Sequence, residues 1–387
     1  MSESPSPVNG PDPDAVLAEV RAQRDDLLAF LEKLVLCESP SFEPASQDPV
    51  FELLAEGLDA AGFESRRLPG DDSGGQLFAG PKGQGFGGVD LDPERPLPPA
   101  DARPPVQMLI GHCDTVWPRG TLAEMPVQVE DSVMRGPGVF DMKGGLAQTV
   151  FALRTLHRLD LQPEILPLVF VNSDEELGSR ESAPLIVRLA QQARRAYVME
   201  PALGLEGALK TARKGVGQFI VTVKGKAAHA GLDPESGASA ILELSHQVQR
   251  LFALNDPAKG VSVNVGIIGG GTRANVIASE SRAVVDVRVP DHTEAERITE
   301  AIYSLVPVTK GVRLEVSGAV ERTPLERNER NQALWRVARG IAGELGLQIE
   351  EGFAGGGSDG NLTSPETATL DGLGAVGDGA HAAHEHI

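Results

Sequence analysis

The chain has 387 residues, of which 41% are apolar, enough for two full-sized domains at about 150 residues each. Fifty-five acidic residues against 35 basic ones give a formal charge of -20. A phosphate-binding surface is therefore not expected, which excludes nucleic acid and acidic membranes as partners.

Residues 1–13 are polar and Pro-rich and read as a flexible tail. They lack the basic region and apolar core of a signal peptide, and no run in the chain approaches the about 18 apolar residues of a membrane span. A cytoplasmic location is expected. From Asp14 to Leu36 apolar residues recur at helical spacing, with Asp14 placed to cap a single helix. A second helix is predicted over Pro49–Ala61, ending at Gly62. Residues 70–105 are rich in Gly, Pro and Asp and read as a long surface insertion. Strand and helix patterns then alternate from Val106 to Glu200, as in βαβ units.

The pattern changes near residue 212. Four strands are predicted (GQFIVTVKG, VSVNVGIIGG, SRAVVDVRV and VRLEVSG), with helices over Ser236–Phe252 and Thr293–Leu305. The order β-α-β-β-α-β describes a ferredoxin-like α+β unit inserted into a larger α/β domain. A helix over Asn331–Ala342, a short strand and the Gly-rich loop FAGGGSDGN then lead to His381. The expected division is a discontinuous domain, 14–211 and 322–387, around an insertion of 212–321. Only Cys37 and Cys113 are present, so no disulfide framework is implied and Cys113 is expected to be a buried, inert thiol.

Potential metal ligands stand where apolar strands end. His112 follows VQMLIG, Glu175 and Glu176 follow ILPLVFVN after the two residues Ser173 and Asp174, and Glu200 follows AYVM. Such Val/Ile/Leu-rich runs are buried strands of a mostly parallel sheet, and ligands bind at the carboxyl ends of such strands. Asp141 in GVFDMKGG opens a helix pattern, where a carboxylate also suits a simple cap. So many carboxylates at one crevice need a cation. A carboxylate has two oxygens and can bridge two ions, as in two-metal hydrolases. Asp114 would accept the other ring N–H of His112 and fix its tautomer. Of the adjacent Glu175 and Glu176, one would bind metal and the other take a proton from water. His381, His384 and His386 compete as the last ligand, and position alone does not choose among them.

The motifs GHCDTVWPRGT, GPGVFDMKGG, NSDEELGS, VMEPA, KGKAAHAG, GGTRANVIA and GAHAAHE together resemble one family. It is the zinc peptidase family of glutamate carboxypeptidase, aminoacylase, acetylornithine deacetylase and succinyl-diaminopimelate desuccinylase. WPRGT looks most like the bacterial glutamate carboxypeptidase branch. The resemblance implies two Zn2+ per subunit, with Co2+ or Mn2+ as substitutes. It implies that His112 and Glu200 hold one ion, Glu176 and His381 the other, and that Asp141 bridges. His381 is chosen because the family's ligand precedes a Glu by four residues, here Glu385.

By the same resemblance Glu175 is the general base, Asp114 orients His112, and the Asp141–Met142 peptide is cis. His229 would reach the active site of a partner subunit in a homodimer formed by the inserted domain. Asn275 and Arg288 would grip a substrate carboxylate, and Gly357 and Ser358 would belong to the substrate-binding loop. Arg288 equally suits a salt bridge on the strand face. The expected activity is cleavage of an amide bond beside a free carboxylate, in a small peptide or N-acyl amino acid. The alternatives are an N-acyl-amino-acid deacylase and an inactive metal-binding scaffold. The family pattern also implies a further helix after Glu385, whereas this sequence ends at Ile387.

Overall fold

The computed structural model describes residues 11–99 and 102–387, so most of the expected flexible tail lies outside the described residues. The chain forms two compact units. The first comprises 1–211, 327–352 and 358–387, and the second comprises 212–326 and 353–357.

The first unit is built on a six-stranded sheet. Its order is Phe63–Leu68, Gln76–Pro81, Leu166–Asn172, Val106–His112, Arg195–Val198 and Ala368–Leu370. The last four strands run parallel and the first two form an antiparallel hairpin at one edge. Parallel neighbours need long crossovers, supplied by helices Gly144–Arg158 and Ala183–Gln192. Alternate strand residues feed two cores. Leu77, Ala79, Val169 and Val171 pack with Leu31, Phe51, Leu54 and Val150, while Phe78, Leu168, Phe170 and Ile110 pack with Ile186 and Leu189. Both faces are covered, which explains why these strands read as unbroken apolar runs.

Register brings the strand ends level. His112 lies opposite Asn172, and Ile110 lies opposite both Phe170 and Val198. The segments after His112, Asn172 and Val198 therefore leave the sheet at the same edge.

Two expectations are corrected in this unit. The first helix is broken into Pro13–Ala22 and Arg24–Leu36 at Gln23, and its cap is Asp12, which accepts from the Asp14 amide. The Gln23 side chain is buried there and donates to Thr155 at 2.9 Å. The supposed surface insertion 70–105 contains the buried strand Gln76–Pro81. Its Gly, Pro and Asp flanks mask a short apolar run, QLFAG, that belongs to the central sheet.

In the second unit a four-stranded antiparallel sheet has the order Ser262–Gly270, Glu280–Val289, Gly215–Lys224 and Arg313–Arg322. Helices Ala240–Phe252 and His292–Tyr303 connect it in the ferredoxin-like sequence. Both start at a side-chain cap, Ser239 and Asp291. One sheet face is buried, through Phe219, Val221, Val285 and Val287 against Ile298 and Ile302. Ser262–Gly270 is an edge strand with a bulge between Val265 and Ile267, and Ile267 and Ile268 are each 66% exposed. Among the described residues no helix is long and apolar enough to cross a membrane.

Candidate metal centre

His112 ends its strand fully buried. Its Nδ1 lies 3.0 Å from the Asp114 backbone carbonyl and 3.4 Å from Oδ1 of the Asp114 carboxylate. A carbonyl only accepts, so Nδ1 carries the proton and Nε2 is turned to the crevice. There it meets Asp141 Oδ1 at 3.3 Å and Glu200 Oε1 at 3.5 Å. Asp141 Oδ2 faces the other way, 3.5 Å from His381 Nε2, which is 3.1 Å from Glu176 Oε1. Two groups result, His112–Asp141–Glu200 and Asp141–Glu176–His381, with candidate ligand atoms within 4.8 Å of one another in each. Asp141 is common to both.

Asp114 differs in part from its expected task. Its carboxylate does not make the nearest contact to the His112 ring, because the backbone carbonyl lies closer. Oδ1 accepts from the Glu175 amide at 3.3 Å, and Oδ2 from the Glu176 amide at 3.2 Å and Ser41 Oγ at 2.8 Å. Asp114 thus fixes the turn Glu175–Leu177 to the end of the neighbouring strand.

Asp141 does not open the helix. Residues Val139–Lys143 make one wide turn, Asp141 has extended dihedrals (φ -116°, ψ 96°), and the helix proper starts at Gly144. The Asp141–Met142 peptide is cis. The helix start approaches the Glu200 segment closely. A Cβ added to Gly145 would lie 1.9 Å from the Met199 carbonyl oxygen, so only glycine fits. His381 has φ 61°, in the left-handed region that costs a non-glycine residue on the order of 1 kcal/mol. Neither His384 nor His386 joins the two groups; His386 Nδ1 meets the His384 carbonyl instead.

Charge shapes this cluster. Burial pulls the His112 imidazole down, yet Asp114, Asp141 and Glu200 outweigh it and leave it well above its ordinary value. Asp141 and Glu176 push His381 up to about 10. Burial raises the Glu176 carboxyl, while His112 and His381, overcoming burial, hold Asp141 below the usual range. The surrounding carboxylates thus favour the protonated form of both imidazoles, and a bound cation would compete with those protons. Two imidazoles and three carboxylates are borderline-hard donors that fit a pair of divalent ions such as zinc. Cys113 is buried, its thiol pushed further up by burial, and it joins neither group.

Ser358 is buried and donates to Asp371 Oδ2 at 2.7 Å. Asp359 accepts from Asn172 Nδ2 at 2.8 Å and from Ser179 Oγ, one residue on each side of the Glu175–Glu176 turn's base. The sequence carries no signal for the tasks of Asp359 and Ser41, and the signal for Glu385 is its spacing of four residues from His381.

His229, Asn275, Arg288 and Gly357 belong to the second unit. His229 is exposed, and its Nδ1 accepts from the Gly231 and Leu232 amides, both at 3.2 Å. That places the ring proton on Nε2. The Ala230 amide donates to the Asn275 carbonyl, so the two expected residues share one loop pair. Arg288 makes the bidentate strand-face pair with Asp286, both contacts at 3.0 Å. The Gly357 carbonyl accepts from Arg213 at 3.1 Å.

A mostly parallel α/β unit with two carboxylate–imidazole groups at its strand ends defines a metal-dependent hydrolase architecture. Residues 211–310 match the family model described as peptidase dimerisation domain. The chain is 30% identical over 278 residues to carboxypeptidase G2 of Pseudomonas sp. (strain RS-16), covering 71% of this chain and 67% of that protein. It is also 30% identical over 305 residues to succinyl-diaminopimelate desuccinylase of Xanthomonas oryzae pv. oryzae, covering 73% and 79%. Among solved structures, a tripeptidase from Staphylococcus aureus superposes with TM-score 0.69 at 20% identity, over 93% of this chain and 92% of that one. The chain belongs to the M20 peptidase family, whose members are metallopeptidases and amidohydrolases.

Proposed function

We propose that the protein is a two-zinc exopeptidase that cleaves an amide bond beside a free carboxylate, releasing a C-terminal amino acid such as glutamate. The observation that carries this reading is Asp141, whose two oxygens face two different histidines at 3.3 and 3.5 Å. His112 and Glu200 would hold one ion, Glu176 and His381 the other, with Asp141 shared. Bound there, the ions supply Lewis-acid polarisation of the scissile carbonyl and make water easier to deprotonate. Co2+ or Mn2+ would serve as substitutes.

Glu175 takes the proton of the attacking water and passes it to the leaving nitrogen. Its backbone is fixed by Asp114, which keeps it beside the ligand Glu176. His229 serves the site of the partner in a homodimer. The amides on Nδ1 leave Nε2–H to donate to the carbonyl oxygen as it becomes anionic. Arg288, exchanging Asp286 for substrate, and Asn275 grip the free carboxylate. The Gly357–Ser358 loop completes the substrate site. Similarity to carboxypeptidase G2 supports the carboxypeptidase reading.

A second reading, N-acyl-amino-acid deacylase, is favoured by the similarity to the desuccinylase. Hydrolysis of a panel of C-terminal glutamyl compounds and N-acetyl and N-succinyl amino acids tests both. Release of glutamate supports the first reading. Release of only acetate or succinate replaces it with the second.

A further inference from the structure

Trp117 and Glu385 hold no place in the chemistry described so far, although they stand in two of the chain's motifs. Glu385 is fully buried. Its Oε1 accepts from the amides of Phe140 at 2.9 Å and Asp141 at 3.0 Å. Its Oε2 accepts from the Gly138 amide at 2.9 Å and from Trp117 Nε1 at 2.8 Å. Three of the four donors are backbone amides of the turn that carries Asp141 and of Gly138, the residue that leads into it. That turn has non-helical dihedrals at Asp141 and Met142, so its amides need acceptors from outside. Glu385 supplies them.

The same residue belongs to the segment that presents His381. The Glu385 amide bonds to the Ala382 carbonyl at 2.9 Å, and Asp378 and His386 exchange backbone bonds at 3.1 and 3.0 Å. One side chain therefore joins the turn of the shared carboxylate to the hairpin of the last histidine. Four N–H donors on two oxygens fill all the lone pairs that a carboxylate has. An amide side chain would offer one oxygen and set its NH2 against two of the donors.

We propose that Glu385 is a positioning residue that sets both ion sites at once, by fixing the backbone of Asp141 relative to His381, and that Trp117 is its brace. The inference rests on the two-ion reading above. Trp117 carries no metal-ligating atom, and its indole N–H donates to Glu385 Oε2, so the proposal carries its effect on metal binding through Glu385.

The test is calorimetric titration of ZnCl2 into the full chain stripped of metal, with the melting temperature of the stripped protein measured alongside. The wild type is expected to bind two equivalents. Glu385→Gln should weaken both by about 10–100-fold, the usual effect of losing a residue that orients ligands. His381→Ala should weaken one equivalent far more than the other. Trp117→Phe should weaken both by about tenfold, and it becomes the deciding variant if Glu385→Gln does not fold. Wild-type zinc affinity in Glu385→Gln, or in Trp117→Phe where that variant decides, overturns the proposal. So does loss of a single equivalent in Glu385→Gln, or a fall in melting temperature with both affinities kept. A wild type that binds no zinc overturns both this inference and the two-ion reading, whereas two tight equivalents in both wild type and variant overturn only the inference.

Discussion

Both units bury carboxylates, but they satisfy them differently. In the second unit Glu243 is fully buried and accepts from the amides of Val308 and Thr309 and from Gln247, while Glu294 is paired with Lys259 and Arg297. Each carries its own cation or set of N–H donors. In the first unit Asp141, Glu176 and Glu200 converge on two imidazoles, and each imidazole lies between two carboxylates. A buried carboxylate is thus no sign of a site by itself. The sign is a set of carboxylates arranged around one another, with electrostatics that only an added cation completes.

The comparison predicts unequal responses to perturbation. The largest effect is expected from Glu175→Gln, which should lower kcat by at least about 10²–10⁴-fold while metal content stays near that of the wild type. A variant that loses metal and keeps activity would reverse the roles of Glu175 and Glu176. Next, mixing His229→Ala with Glu175→Gln subunits should restore up to about a quarter of wild-type activity, because one site per mixed dimer is then intact. The exposed edge strand Ser262–Gly270, with Ile267 and Ile268, is the pairing surface expected for that dimer. No recovery after demonstrated subunit exchange would place His229 in its own subunit or in a structural role.

Smaller effects separate the units further. Gly145→Ala should destabilise the first unit by about 1–3 kcal/mol, because the new methyl meets the Met199 carbonyl beside Glu200. Metal held by His112 and Glu200 should weaken with it, read by calorimetry, whereas an unchanged melting point and affinity would show that this close approach relaxes freely. The smallest effect is an acid one in the second unit. Burial raises the Glu243 carboxyl, but the Thr309 amide, Gln247 and the Val308 amide outweigh it, and Lys259 and Arg297 hold Glu294 low as well. Folded values below the unfolded ones mean stability that is present above about pH 4.3 and lost as pH falls through the folded values. Acid unfolding followed in Glu243→Gln should therefore be less steep than in the wild type.

Much of this was legible in the sequence because buried parallel strands announce themselves as apolar runs. His112 and Glu200 follow such runs directly, Glu175 and Glu176 follow two residues further on, and the level register of three strands brings their ends together. The ferredoxin-like order was likewise readable from strand alternation such as Glu280–Val289, whose face switches at every residue. What stayed hidden depends on contacts distant in sequence. The strand Gln76–Pro81 is short and flanked by loop residues, and it is defined by its pairing with Phe63–Leu68 and with the distant Leu166–Asn172. The break at Gln23 reflects a bond to Thr155, 132 residues away. His381 could not be chosen from three histidines by position, because a left-handed backbone and a carboxylate from another segment place it. The structural task of Glu385 was hidden for the same reason, since its four donors lie 244 to 268 residues upstream.

The most direct measurement of the central claim is metal content per chain, by elemental analysis of the purified protein, with thermal unfolding before and after chelation. Two zinc equivalents are predicted, or two of a substituting divalent ion. Their removal should lower the melting transition of the first unit by an amount set by mass action, about 2.7 kcal/mol per ion at a hundredfold excess over Kd, and leave that of the second unit in place. A chain that takes up no divalent ion, or binds ions without any shift of the first unit's transition, would contradict the account.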